Sequence, residues 1–177
     1  MKKKLFVIVL SVISIGLCSW FSYNNFIRSE KFTHFPESVK MYFYIEKYSK
    51  EYGIPRNIAY GIPYYETNYK GPTDTTYNPK RTSKSKAYGA MQLKLKTANA
   101  VCDSTITRKE LLNNTELNVI LSFKLLKTLH DKYGSWKLAL GAYNTGKPVV
   151  NKYSKNITKF SLRKIFKTQN YLYATTN

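Results

Sequence analysis

The segment Thr115 to Lys132 limits the fold more than any other part of the chain. Leu117, Leu121 and Leu125 recur at helical spacing, Ile120, Leu126 and Leu129 lie beside them, and Gly134 follows as a stop. A helix with such a stripe has to bury it against other elements. Pro36 can sit in the first turn of a helix carrying Val39, Tyr42, Phe43 and Ile45, with Gly53 ending it, and Pro55 opens a second helix through Ile58, Ala59 and Ile62 toward Glu66. Pro63 lies inside that helix, where it removes a hydrogen bond and crowds the preceding turn, so a kink is expected three residues before Glu66. The helical pattern resumes from Met91 to Val101. Thr107 and Glu110 have capping-box spacing ahead of Leu111 and Leu112, and Ser135 can cap a helix running to Tyr143. No alternating strand run competes, and no internal repeat is present. Residues 68–86, with Gly71, Pro72, Pro79 and many hydroxyl side chains, read as a long loop of the functional or mobile kind. The fold class expected is mainly α.

A chain of 177 residues is long enough for one domain with a core that needs neither metal nor disulfide. Cys18 lies in an apolar N-terminal run and Cys102 is alone in the rest, so no disulfide within the domain is expected and Cys102 reads as a small buried apolar residue. Lys2, Lys3 and Lys4 precede the apolar run Leu5 to Phe21, the pattern of an export signal or signal anchor. Its 17 residues sit at the lower edge of the roughly 17 to 25 that span a bilayer. Leu17 is the wrong residue before a lipidated cysteine, and no clean small-x-small cleavage site follows. Retention as a membrane anchor is therefore favoured over cleavage and secretion. The division expected is 1–27 as signal or anchor and 28–177 as an exported, membrane-held helical domain.

The net charge of +19, from 29 Lys and Arg against 10 Asp and Glu, favours polyanionic partners: nucleic acid, anionic lipid or an anionic cell envelope. No arginine-rich run or nucleic-acid module is present, so nucleic acid is not expected. A lysine-rich solvated surface with no special partner is the plainer alternative.

Three short segments carry chemistry: Glu66-Thr67, then Ala87-Tyr88-Gly89-Ala90-Met91-Gln92, then Ala142-Tyr143-Asn144-Thr145-Gly146. In this order they resemble the lytic transglycosylases with the goose-lysozyme-like fold, the soluble lytic transglycosylase catalytic domain. The resemblance runs roughly over residues 37–175 and also takes in Thr97, Ala98, Asn118, Val119, Leu125, Leu126, Leu129, Thr168 and Tyr171. Ala90 stands where the family has leucine, Leu95 where it usually has proline, Ser122 where it often has glycine and Lys167 where it often has an acid. The segment between Glu66 and Ala87 is several residues longer than usual.

The resemblance implies a single lysozyme-like helical domain that cuts peptidoglycan glycan strands between muramic acid and N-acetylglucosamine, leaving 1,6-anhydro ends. It implies Glu66 as acid and then base, with Gln92, Tyr143, Ser83 and Met91 toward the substrate. No cofactor is implied. Read as ordinary residues, Gln92 would cap the following helix, Tyr143 would be a core or rim residue, and Asn144 and Gly146 would shape a turn. Glu66 follows Tyr64 and Tyr65 at the end of an apolar helix, where desolvation raises a carboxyl pKa into a useful range. A water-using muramidase needs a second carboxylate, and Asp74 in the following loop is the one tempting partner. A wall-binding module without turnover is the remaining alternative. His34 and His130 share no metal-ligand spacing, and no metal site is expected. Cell-envelope machinery is a further partner class the resemblance allows.

Overall fold

The computed structural model describes residues 30–166. The chain divides after Phe35 into two units, Met1–Phe35 and Pro36–Asn177. The described part of the first contains the single turn α1, Glu30–Thr33. The apolar run Leu5–Phe21, Cys18, Thr168 and Tyr171 lie outside the described residues. Among the described residues no helix is long and apolar enough to cross a membrane.

The second unit is mainly helical. Among the described residues its helices are α2 (Glu37–Glu51), α3 (Arg56–Thr67), α4 (Leu95–Val101), α5 (Arg108–Asn113), α6 (Thr115–Tyr133), α7 (Trp136–Thr145), α8 (Lys152–Thr158) and α9 (Arg163–Phe166). Pro36 and Pro55 precede α2 and α3 as extended caps, and Gly53 turns the chain between them in the left-handed region. Pro63 is inside α3, and its carbonyl collects the N–H groups of Asn68 and Tyr69 together with the Thr67 hydroxyl. The Thr107 and Glu110 capping box starts α5. Ser135 precedes α7 at the cap position, but its side chain makes no capping bond.

Three expectations change. Residues 91–94 are not helical: Ala87–Tyr88 (β1) pairs antiparallel with Leu93–Lys94 (β2), and α4 begins only at Leu95. Cys102 is only half-buried, packed at the edge of a cluster formed by Tyr88, Leu93, Ala98, Ile106, Leu111 and Leu121. On α6 Leu121 is buried as expected, but the buried set also takes in Thr115, Asn118, Val119, Ser122, Phe123 and Leu126, while Leu117 and Leu125 are half-buried shoulders.

That last shift has a polar cause. Asn118, fully buried, accepts from Met91 N at 2.8 Å and donates to Tyr88 O at 2.9 Å and Leu111 O at 3.2 Å. It supplies the partners that the hairpin turn Gly89–Gln92 cannot find within itself. Gly89 at φ +76° completes the fit, since a Cβ there would lie 2.5 Å from the Asn118 amide. Asn118→Leu, which keeps volume and removes all three bonds, should lower stability by roughly 3 kcal/mol or more, because buried donors and acceptors left unpaired cost about 1–3 kcal/mol each. Urea unfolding midpoints check this; an unchanged midpoint would mean the turn is held elsewhere.

Candidate active site

Glu66 occupies the last turn of α3 and lines a cleft of about 620 Å³. One wall is the hairpin and the loop before it, through Ser83, Ser85, Ala87, Gln92, Leu93 and Lys94. Thr97 of α4, Leu125, Leu129 and Tyr133 of α6, and Ala142 to Thr145 at the end of α7 with its cap Gly146 complete it. Glu66 is the single carboxylate among these lining residues.

Thr67 fixes the helix end on which Glu66 sits. Its buried hydroxyl meets Ala90 O at 2.8 Å, Tyr77 Oη at 3.0 Å and Pro63 O at 3.2 Å, tying α3 to the hairpin and to the long loop. The loop itself is pinned down: Tyr69, fully buried, donates to Ser38 O at 2.9 Å, and Ser38 Oγ donates to Pro72 O at 3.0 Å.

The Glu66 carboxyl meets one side chain that the sequence did not single out. Tyr153 of α8 donates its hydroxyl to Glu66 Oε1 at 2.7 Å. Oε2 accepts no hydrogen bond among the described residues. Burial pushes the Glu66 pKa up from its ordinary value, and the Tyr153 bond opposes this in part. The result is a carboxyl held by one oxygen, with its proton favoured on the other.

Two close approaches bring α8 to this position. A Cβ on Gly61 of α3 would lie 3.0 Å from Ile157 Cγ2, and one on Gly141 of α7 would lie 1.8 Å from the Val149 carbonyl oxygen. Glycine lets the returning chain lie on α7 and α8 lie on α3. Asn151 and Ser154 then start α8 with a reciprocal capping box, which sets Tyr153 on its first turn.

The other expected site residues fall into different places. Tyr143 lines the cleft, but its hydroxyl donates to Met91 O at 2.7 Å. Burial first, then the nearby Glu66 charge, holds its proton on, so it braces α7 against the hairpin. Ser122 Oγ lies beside it, fully buried and without a well-formed hydrogen bond of its own. Gln92 lines the cleft at φ +49°, yet its amide N–H₂ group is spent on Gly89 O at 2.9 Å and Arg81 O at 3.1 Å. Through that group it holds the turn, although the resemblance places it toward the substrate. Met91 does not line the cleft: its side chain is 0 % exposed in the core, and it serves through its backbone N–H and carbonyl. Ser83 does line the cleft, paired with Ser85 Oγ at 3.0 Å and accepting from Ala87 N at 3.0 Å. Asn144 and Gly146 line its end, with Gly146 closing α7 at φ +77°.

Asp74 is not among the lining residues. Its Oδ1 accepts from Thr76 Oγ1 at 2.7 Å and Thr76 N at 3.2 Å, a turn of the kind Asp commonly makes in loops. Among the described residues no three His, Cys, Asp or Glu side chains converge on a metal position.

Comparison with known proteins agrees with the architecture. The model of the transglycosylase SLT domain matches residues 43–166. No curated protein matches the sequence. Among solved structures, the 70-kDa soluble lytic transglycosylase in complex with bulgecin A superposes with a TM-score of 0.50 at 23% identity, covering 65% of this chain and 18% of that one. The present chain thus corresponds to a small part of that much longer protein. A family match over more than half the chain, on a helical fold of the same kind, makes this protein a member of the lytic transglycosylase SLT-domain family.

Proposed function

We propose that this protein cleaves peptidoglycan glycan strands between muramic acid and N-acetylglucosamine by intramolecular transfer, with Glu66 as the sole acid and base. The observation that supports this reading best is the half-buried, Tyr153-held Glu66 carboxyl in a cleft whose lining, among the described residues, offers no second carboxylate. Protonated Glu66 gives its proton to the glycosidic oxygen as the C1–O bond breaks and positive charge develops on the ring. The resulting carboxylate then takes the proton of the muramic acid C6 hydroxyl as that oxygen bonds to C1. One proton leaves and one returns, so the enzyme is restored and the product ends in a 1,6-anhydro ring. The nucleophile belongs to the substrate, and its attack draws on orientation.

A water-using muramidase would need a second carboxylate near the bond. Asp74 in its turn with Thr76 does not supply one. Asp74→Asn should therefore keep at least about half the rate on purified sacculi, since a surface substitution of this kind usually changes little. Loss of nearly all turnover in a folded Asp74→Asn protein would favour the two-carboxylate reading.

A further inference from the structure

The acids of this protein are distributed unevenly. Glu37, Glu46, Asp103, Glu116 and Asp131 each pair with a Lys or Arg, and Glu110 is spent on its capping box. No acid occurs between Asp74 and Asp103, or anywhere after Asp131.

Those two acid-free segments build most of the cleft. Residues 75–102 carry six cations, Lys80, Arg81, Lys84, Lys86, Lys94 and Lys96, and residues 132–166 carry eight. None of them is in a salt bridge among the described residues. Lys94 lines the cleft itself, Lys84 lies between lining residues Ser83 and Ser85, and Lys147 follows lining residue Gly146. Opposing them among the described lining residues is one carboxylate, Glu66. Cations at and beside the lining of a cleft concentrate a positive field there, and a neutral glycan would gain nothing from that field.

We propose that the cleft is selective for polyanionic glycan: strands whose peptide stems present free carboxylates are bound and cut in preference to the same strands with those carboxylates amidated. The proposal rests on the reading of the cleft as a glycan site. Lys94 on the lining of the Glu66-bearing cleft, with Lys84, Lys86 and Lys147 beside lining residues in sequence, favours this partner over nucleic acid.

The test uses the full chain and one preparation of peptide-bearing glycan strands, half left as free carboxylates and half converted to amides. Cleavage and sedimentation binding are measured over a salt series. At low salt the free-carboxylate strands should be favoured about tenfold or more, mainly through KM, with the gap closing as salt rises, because electrostatic attraction is screened. The triple variant Lys84→Glu, Lys86→Glu, Lys94→Glu should lose most of the preference, whereas Lys50→Glu on α2, outside both segments, should keep it. Equal cleavage and equal salt dependence for the two strands would overturn the proposal and leave the enzyme assignment standing. If neither strand is cut, the enzyme assignment fails on its own and the binding series still decides the preference. Stronger binding of duplex DNA than of the free-carboxylate strands at matched salt would also overturn it.

Discussion

Glu66→Gln should fold, bind glycan and turn it over more slowly by a factor on the order of 10² to 10⁴, the usual contribution of a general acid–base group. The amide keeps the side-chain shape and can still accept from Tyr153, but it has no proton to give at useful pH. The same substitution should raise stability at neutral pH. Burial raises the Glu66 pKa in the folded state, so folding favours its protonated form. Its relative contribution is greatest below the unfolded carboxyl value and is lost as pH rises through the raised folded value. The stability advantage of Glu66→Gln should therefore grow from about pH 4 upward and level off once the wild-type carboxyl is ionised in the folded state. Thermal unfolding across that range reads this directly, and a difference that is flat in pH would mean that Glu66 does not titrate as an isolated buried acid.

Gly141→Ala should be the most damaging small substitution outside the cleft chemistry. The added Cβ would sit 1.8 Å from the Val149 carbonyl oxygen, a backbone atom that cannot rotate away. The chain entering α8 must move, at a cost of about 3 kcal/mol, near the upper end for overpacking. Tyr153 moves with it, so activity should fall along with stability. Tyr153→Phe separates the two effects. It removes only the hydroxyl that meets Glu66 Oε1, so the fold should remain. Without that donor the carboxyl pKa should rise further, moving the pH–rate profile of kcat/KM to higher pH with a loss of about tenfold at its optimum, less than the roughly 10² to 10⁴ contributed by the acid itself. A Tyr153→Phe protein with the wild-type pH profile would reduce Tyr153 to packing.

Much of this architecture is legible in the sequence because its signals are local. Pro36 and Pro55 start helices, Gly53 and Gly134 stop them, and the Thr107–Glu110 pair caps one, each acting within a few residues. Three ordered segments point to Glu66, Gln92 and Tyr143, and all three line the cleft, as does Ser83 from the loop before the second segment. What escaped depends on contacts between distant segments. The 91–94 stretch has a helical pattern, but Asn118 on α6 holds it as a turn and a strand. The resemblance places Met91 toward the substrate, whereas the turn buries its side chain in the core. Tyr153 carried no motif and is one of 16 tyrosines. Its position relative to Glu66 follows from backbone crossings at Gly61 and Gly141, which no local pattern reveals; the boxed Asn151 and Ser154 were the available hint that a helix begins there.

The central claim is that one carboxyl, Glu66, directs an intramolecular transfer. Mass spectrometry of the soluble products released from purified sacculi by the full chain tests it most directly, with Glu66→Gln as the matched control. Muropeptides ending in 1,6-anhydro-muramic acid, formed by the wild type and nearly absent with Glu66→Gln, are the expected result. Reducing-end muropeptides that have taken up water, or anhydro products formed equally well by Glu66→Gln, would contradict it.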